Sequence, residues 1–430
     1  MAPSRKVQGE ITVPGDKSIS HRAVMFSSIA DGVTHIKGFL AGEDCLSTLN
    51  AFKQMGVQVE YLQATELKVT GVGKHGLKPP AQELDVGNSG TSIRLMAGLL
   101  SGQGFAVKLV GDESLMKRPM RRVCDPLSLM GANIQTAENG APPIQIHPTK
   151  QLTGISYEMP VASAQVKSAL LLAGLYAQGT TEVLESKVTR DHTERMLRTF
   201  SYHVETQENK IKVEGGNTLT ATNIDVPADI SSAAFFIVAA CIAEQGEVIL
   251  HKVGINPTRV GILEVLQRMG ANIEITNETM FGNEPVASII VRASKLQGIK
   301  IPQQLVPSAI DEFPVICVAA ACADGITEIT GAEELRVKES DRIAQVANGL
   351  TSLGIKVDEQ IDGLTIHGGE MQGGVIESGG DHRIAMAFAV ASLRAAGSIE
   401  IRDCTNVATS FPNFVEAANK LGLAIDVVVA

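Results

Sequence analysis

The chain has 430 residues, 44% of them hydrophobic and only 4% aromatic, with 41 glycines, 17 prolines and no tryptophan. This composition predicts a globular, turn-rich α/β protein with two domains or one large pseudo-symmetric body. The net charge of −10 argues against non-specific binding to nucleic acid. The longest apolar run, residues 233–243, is too short to span a bilayer.

The N-terminus and the cysteines both suggest a cytoplasmic protein. Residues 1–6 contain no apolar signal core. Six cysteines are scattered without Cys-x-x-Cys or zinc-like spacing, as expected for buried thiols in a reducing compartment. No His-Glu-x-x-His motif and no His/Cys cluster is present, so we expect neither a metal site nor a cofactor.

A repeat of about seventy residues runs along the whole chain. Each copy contains one helix rich in Ala or Leu and one amphipathic helix, and each helix is followed by a strand. Glycine just past the amphipathic helix is the usual left-handed C-cap. Five of the six amphipathic helices are followed by glycine, and the third is followed by Ser201. The pattern predicts six copies of one helix–strand–helix–strand unit.

The helices of the first kind begin with charged or capping residues. Three such helices carry cations in their first turns: Lys17 and Arg22 in one, Arg94 in another and Arg383 in a third. Cations there oppose the helix dipole, so they indicate an anionic ligand between them. Asp229 and Ser231 occupy an equivalent position and are interpreted as ordinary helix caps.

Residues 87–94, Gly-Asn-Ser-Gly-Thr-Ser-Ile-Arg, follow a short strand and lead into an apolar helix. The free N–H groups of such a helix start suit a phosphate or carboxylate, and Gly90 allows a ligand close to the backbone. By itself this turn could equally just join a strand to a helix. It is not a Walker loop, because no Gly-Lys-Ser/Thr follows.

Three further charged stretches lie in predicted loops. The basic stretch around Arg118 could be a solvated surface or a ligand site. Residues 190–194 could be a capped helix start. Lys338 and Arg342 are four residues apart and are predicted to share one helical face, in a run that usually forms surface ion pairs.

Five of these motifs together resemble the 5-enolpyruvylshikimate-3-phosphate synthase family over essentially the whole chain. They are residues 15–22, 87–91, 117–120, 336–342 and 381–383, and residues 163–168 and 190–194 are similar to its second bacterial branch. The resemblance implies a two-domain inside-out α/β barrel, the enolpyruvyl transferase fold, with six βαβαββ repeats, three per domain. It places residues 1–15 and 228–430 in one domain and 16–227 in the other, with the active site in the cleft between them.

The resemblance also implies the reaction. Enolpyruvyl would pass from phosphoenolpyruvate to the 5-hydroxyl of shikimate 3-phosphate, with release of phosphate through a tetrahedral intermediate, in the shikimate pathway that leads to chorismate and aromatic amino acids. Both substrates carry a phosphate and a carboxylate, which explains many Lys and Arg residues in an acidic protein. The implied partners are these two small molecules, without nucleic acid or membrane, and the implied state is a monomer.

Residue roles follow from the matched motifs. Asp311 would take the 5-hydroxyl proton, Glu339 would exchange protons with the methylene carbon, and Lys17 would help the departing phosphate. The residues implied to bind shikimate 3-phosphate are Lys17, Ser18, Arg22, Ser163, Gln165, Arg190, Asp311 and Lys338. Those implied to bind phosphoenolpyruvate are Lys17, Asn88, Gly90, Arg94, Arg118, Gln165, Arg342 and Arg383.

Three departures from the family pattern are visible. Glu334 stands where many relatives have Asn, Leu95 stands where the other branch has Pro, and the segment around Thr409 lacks a lysine found in the other branch. Gly90 matches a position where glyphosate-insensitive members often carry alanine, so the resemblance implies a glyphosate-sensitive site. The alternatives are the sister enzyme acting on UDP-N-acetylglucosamine, whose catalytic cysteine is missing from the loop at residues 111–118, and a non-catalytic anion-binding repeat protein.

Overall fold

The computed structural model describes residues 5–428, so residues 1–4 of the N-terminal stretch considered above lie outside the described part. The chain forms two compact units. The inserted unit comprises Lys17–Val226 and Phe281–Glu284. The terminal unit comprises the described residues up to Asp16, Pro227–Met280 and the described residues from Pro285 onward. Each unit has its own hydrophobic core.

Strand β1 (Gly9–Ile11) belongs to the terminal unit and precedes the inserted unit. The helices of the inserted unit are α1 (Lys17–Ile29), α2 (Glu43–Gln54), α3 (Gly90–Leu100), α4 (Arg121–Leu129), α5 (Ala164–Gly174) and α6 (His192–Thr199). Its strands are β2 (Val33–Lys37), β3 (Gln58–Gln63), β4 (Glu66–Thr70), β5 (Leu84–Asp85), β6 (Val107–Val110), β7 (Asn133–Gln135), β8 (Ile144–His147), β9 (Ser156–Glu158), β10 (Thr180–Leu184), β11 (Val204–Gln207), β12 (Lys210–Glu214) and β13 (Ile224–Asp225).

The remaining elements follow in chain order. The helices are α7 (Ile230–Ile242), α8 (Gly261–Arg268), α9 (Val306–Ala309), α10 (Phe313–Ala321), α11 (Arg342–Ser352), α12 (His382–Ala391) and α13 (Phe414–Lys420). The strands are β14 (Glu247–Gly254), β15 (Asn272–Phe281), β16 (Glu284–Arg292), β17 (Ile326–Ile329), β18 (Val357–Gln360), β19 (Gly363–His367), β20 (Gly374–Glu377) and β21 (Ile399–Arg402). Among residues 5–428, no helix is both long and apolar enough to cross a membrane.

The inserted unit repeats one sheet topology three times. Its sheets have the strand orders β13-β2-β4-β3, β5-β6-β8-β7 and β9-β10-β12-β11. In each sheet the first pair is parallel and the other two pairs are antiparallel. Helices α1, α3 and α5 are buried along nearly their whole length, and the sequences of α3 and α5 are largely apolar.

The terminal unit repeats this plan less completely. Its sheets have the orders β1-β14-β16-β15, β17-β19-β18 and β20-β21. Beside the second sheet, Lys300 forms an isolated parallel bridge with Glu328, where the other unit has a full strand. Helices α7, α10 and α12 are buried throughout. The buried helices of both units therefore present only their ends to a ligand.

All six amphipathic helices end where the glycine pattern predicts. The residues just past the C-caps of α2, α4, α6, α8, α11 and α13 have φ between 61° and 103°, within the left-handed region: Gly56 91°, Gly131 90°, Ser201 61°, Gly270 95°, Gly354 84° and Gly422 103°. Glycine adopts this conformation without steric cost, whereas Ser201 holds a Cβ in it. The third cap is therefore the strained copy of a repeated feature.

We predict that Ser201→Gly stabilises the protein. Removing the Cβ relieves left-handed strain of about 1–2 kcal/mol, partly offset by the roughly 0.5–1 kcal/mol entropy cost of glycine. The net gain should appear as a higher melting temperature by calorimetry. Ser128→Gly, at an exposed helical position in α4, is the matched control and should lower it. A lower melting temperature for Ser201→Gly would contradict the assignment of strain.

Candidate active site

The turn before α3 brings two guanidinium groups to Gly90. Ser89 caps α3 by accepting a hydrogen bond from the Ser92 N–H, so the helix starts at Gly90. A Cβ built on Gly90 would lie 2.8 Å from Nη1 of Arg94 and 3.1 Å from Nη1 of Arg118. A side chain at this position would therefore displace both guanidinium groups, which glycine leaves in place.

Neutral oxygen atoms orient both guanidinium groups. Arg118 donates to Oδ1 of Asn88 at 2.7 Å and to Oγ of Ser114 at 3.3 Å. Arg94 donates to Oε1 of Gln165 at 2.8 Å and to the Gly90 carbonyl at 3.2 Å. Amide and carbonyl acceptors fix a guanidinium without cancelling its charge, so this turn keeps its positive potential for an anion.

The start of α5 completes the group around this turn. Ser163 caps the helix through its Oγ, which accepts from the Val166 N–H at 3.4 Å. Gln165 follows and also donates from Nε2 to Thr91 at 3.3 Å. Five residues that were predicted from separate motifs thus form one connected cluster: Asn88, Gly90, Arg94, Arg118 and Gln165.

The start of α1 carries Lys17, Ser18 and Arg22. Lys17 forms an ion pair of 3.0 Å with Asp44 of α2, a partner that sequence reasoning missed. Arg22 is buried and donates to Thr193 at 2.8 Å, Ser168 at 2.9 Å and the Ser18 carbonyl at 2.9 Å. The side chain of Arg22 is thereby fixed to α5 and α6 of the same unit.

A buried lysine anchors the loop that carries Arg190. Lys167 lies 2.7 Å from Glu194 and 3.1 Å from Glu185, and all three side chains are buried. Burial alone would lower the pKa of Lys167, but the two carboxylates outweigh it and raise the pKa. Glu185 also accepts from the Thr189 N–H at 3.1 Å, directly before the half-buried Arg190. Sequence analysis did not predict this anchoring.

In the terminal unit, Arg342 forms ion pairs with Asp311 and Glu339, the two predicted proton-transfer residues. Its guanidinium lies 2.8 Å from Asp381, 2.5 Å from Glu339 and 3.4 Å from Asp311. Burial would lower the pKa of Arg342, but these carboxylates outweigh it and raise the pKa. Arg342 is therefore always charged and gives Asp311 and Glu339 a common partner.

Lys338 does not share a helical face with Arg342, so that prediction is wrong. Residues 333–337 form a short 3₁₀ helix, and Lys338 follows in an extended conformation. Helix α11 begins only at Arg342, because Asp341 caps it by accepting from the Ala344 N–H at 3.0 Å. The cap breaks the helical spacing on which the prediction depended.

Arg383 stands at the start of α12, which Asp381 caps by accepting from the Arg383 N–H at 2.9 Å. Burial would raise the pKa of Asp381, but Arg342 outweighs it and holds the pKa below its ordinary value. Nη1 of Arg383 donates to the Asp311 carbonyl at 2.9 Å and lies 3.7 Å from Glu312. Within residues 5–428, Nε and Nη2 of Arg383 have no hydrogen-bond acceptor, so these donors are available to a ligand.

Another buried guanidinium, that of Arg259, was missed by sequence reasoning. Arg259 lies 3.4 Å from Asp16, 3.5 Å from Asp229 and 3.9 Å from Glu312. Asp229 does cap α7, as predicted. Its burial and the negative charge of Asp16 raise the pKa of Asp229, and they outweigh the opposing effect of Arg259. No sequence signal pairs these residues, which lie up to 296 positions apart in the chain, because only the fold brings them together.

Neither a metal site nor a reactive thiol appears in the described chain. Among residues 5–428, no three His, Cys, Asp or Glu side chains are grouped to hold a metal ion. Cys124 is buried in α4, where burial and the nearby Asp125 raise its pKa to about 12 despite Arg94. This thiol is therefore a core residue rather than a nucleophile.

The sequence model of EPSP synthase (3-phosphoshikimate 1-carboxyvinyltransferase) matches residues 1–418. Proteins named 3-phosphoshikimate 1-carboxyvinyltransferase from Methylococcus capsulatus and Nitrosococcus oceani are 59% and 58% identical to the chain. The alignments cover 99% of this chain in both cases, and 97% and 96% of those proteins.

A solved EPSP synthase from Acinetobacter baumannii superposes with a TM-score of 0.90 at 54% identity, over 99% of this chain and 98% of that one. The similarity confirms the fold class and the family resemblance predicted from the sequence. The chain belongs to the EPSP synthase family.

Proposed function

We propose that this protein is a 3-phosphoshikimate 1-carboxyvinyltransferase of the shikimate pathway. It joins the enolpyruvyl group of phosphoenolpyruvate to the 5-hydroxyl of shikimate 3-phosphate and releases phosphate. The observation that carries the proposal is the convergence of Arg94 and Arg118 on Gly90, beside a helix N-terminus. Such an arrangement attracts a small ligand that bears both a phosphate and a carboxylate.

We assign phosphoenolpyruvate to Gly90, Arg94, Arg118, Asn88 and Gln165 in the inserted unit. Arg342 and Arg383 of the terminal unit act on the same substrate, and Lys17 contacts both substrates. The free Nε and Nη2 donors of Arg383 support this role, because together they form an edge that can bind a carboxylate with two hydrogen bonds.

Shikimate 3-phosphate is assigned to residues from both units. Those in the inserted unit are Ser18, Arg22, Ser163, Gln165 and Arg190. Those in the terminal unit are Lys338 and Asp311. The fixed position of Arg22 on Ser168 and Thr193 supports its role, since a preorganised cation loses little entropy when it binds a phosphate.

Asp311 and Glu339 divide the proton transfers in the proposed mechanism. Asp311 accepts the 5-hydroxyl proton while the oxygen attacks C2 of phosphoenolpyruvate, and Glu339 delivers a proton to C3. The tetrahedral intermediate then loses phosphate from C2 while Glu339 takes a proton back from C3. The shared contact with Arg342 supports the assignment, because one buried guanidinium orients both proposed proton-transfer groups.

Two further properties are proposed along with the activity. The four buried thiols and the absence of any disulfide among the six cysteines agree with a cytoplasmic location. We also propose that the enzyme acts as a monomer, with neither metal nor organic cofactor, because electrostatic stabilisation by Lys and Arg can serve a reaction between anions.

The activity is tested by phosphate release from phosphoenolpyruvate. We expect release that depends on shikimate 3-phosphate and does not occur with UDP-N-acetylglucosamine. Release only with the sugar nucleotide would identify the sister reaction. Binding of shikimate 3-phosphate without any release would identify a non-catalytic anion-binding protein, and either result would overturn the proposal.

Asp311→Asn tests the general base. The amide keeps the shape of the side chain but cannot accept the proton, so kcat should fall ~10²–10⁴-fold. The affinity for shikimate 3-phosphate, measured by calorimetry, should stay close to that of the wild type. Lys17→Ala is the contrasting variant and should weaken binding as well as turnover, because Lys17 is proposed to touch both substrates. A wild-type rate for Asp311→Asn would show that the base is another group.

Gly90→Ala tests the phosphoenolpyruvate site with glyphosate as the probe. The added methyl would lie 2.8 Å from Arg94 and 3.1 Å from Arg118, so both guanidinium groups must shift. Glyphosate is the longer ligand and should be affected more, with an inhibitory concentration raised about tenfold against about threefold for the phosphoenolpyruvate KM, a difference of roughly 0.7 kcal/mol. The matched control is Gly104→Ala, where a Cβ meets nothing within 4 Å. Equal increases for the two ligands would contradict the prediction.

A further inference from the structure

A buried chain of hydrogen bonds connects three helices behind the Gly90 turn. Nδ1 of His21 lies 2.8 Å from Oγ1 of Thr48, which lies 2.6 Å from Oγ of Ser92. Ser92 in turn donates to Oγ of Ser89 at 2.7 Å. His21 is on α1, Thr48 on α2 and Ser92 on α3, and these side chains are almost completely excluded from solvent.

The chain of hydrogen bonds has one direction. Each hydroxyl has a single hydrogen, so Ser92, which donates to Ser89, must accept from Thr48. Thr48 must then accept from an N–H at Nδ1 of His21. The 3.4 Å contact from Thr48 to the Asp44 carbonyl is too long to compete with the 2.6 Å bond.

The chain ends at the residue that shapes the ligand turn. Oγ of Ser89 accepts from both the N–H and the hydroxyl of Ser92, at 3.1 and 2.7 Å, and Gly90 follows directly. The backbone of this turn is also held by bonds from the Ser89 N–H to the Val86 carbonyl and from the Asp112 N–H to the Gly87 carbonyl. The hydrogen bonds at the Ser89 side chain add the link from the turn to α1 and α2, so they contribute to where Gly90 sits between Arg94 and Arg118.

We propose that Thr48 is a positioning residue for phosphoenolpyruvate: through Ser92 and Ser89 it fixes the Gly90 turn against α1 and α2. Thr48 touches neither substrate in this assignment, and it acts only through the turn. The inference rests on the proposed function, because it takes phosphoenolpyruvate as the ligand of that turn. It predicts that the hydroxyl of Thr48, rather than its volume, determines affinity for this one substrate.

Two substitutions separate the hydroxyl from the packing. Thr48→Val keeps the shape but removes the hydroxyl, so Ser92 loses its donor and the His21 N–H loses its acceptor. Thr48→Ser keeps the hydroxyl and removes only a methyl group. Ser28→Ala is a further control. It removes a buried hydroxyl on α1 that donates to the Val24 carbonyl and takes no part in this chain of hydrogen bonds.

Kinetics with both substrates give the first readout. For Thr48→Val we expect the KM for phosphoenolpyruvate to rise about tenfold, with the KM for shikimate 3-phosphate changed less than about twofold. Thr48→Ser and Ser28→Ala should resemble the wild type in both constants. Equal effects of Thr48→Val and Thr48→Ser, or equal increases of the two KM values, would overturn the proposal.

Hydrogen exchange gives a readout that needs no activity. Amides in the peptide spanning residues 86–93 should exchange faster in Thr48→Val than in the wild type, and at the wild-type rate in Thr48→Ser. An unchanged exchange rate in Thr48→Val would overturn the inference even if the enzyme is active. If the wild type releases no phosphate with shikimate 3-phosphate, the proposed function fails, and exchange alone then decides whether the network holds the turn.

Discussion

A charge that is buried must have a partner, and this requirement organises the whole candidate site. The buried helices α1, α3, α5 and α12 carry their charged residues within their first two turns. Arg342, at the start of α11, meets three carboxylates, Lys167 meets two, and Lys17 meets Asp44. Leaving any of these charges without its partner would cost several kcal/mol. The pairs therefore hold the helix ends in fixed positions before any substrate arrives.

The two units pair their buried charges with different kinds of partner. The difference suits two separate tasks of the proposed reaction, which are binding an anion and moving a proton. Arg94 and Arg118 donate to amide and carbonyl oxygens, so their turn keeps a positive potential. Arg342 instead donates to carboxylates, which leaves that cluster rich in potential proton acceptors. An anion is attracted to the first arrangement, and a proton can be moved within the second. Neither arrangement alone provides both functions.

How far the sequence predicts this protein depends on whether a feature is local. The six helix ends are predicted correctly because a left-handed residue after a helix is a short-range requirement. The turn at residues 87–94, which follows a strand and leads into a helix, is predicted for the same reason. The partners Asp44, Glu185 and Arg259 are missed because each lies far along the chain from the charge it meets. The error at Lys338 has a local cause, since the Asp341 cap moved the helix start by one turn.

The segment around Thr409, which lacks a lysine found in the other branch, contacts the turn that precedes α12. Thr409 donates to the Asn406 carbonyl, and Asn406 donates to the Gly380 carbonyl, both at 2.7 Å. Gly380 directly precedes the cap of α12, so this segment still supports the turn from which Arg383 emerges. The segment around Thr409 thus keeps a supporting role for the site without supplying a charge itself.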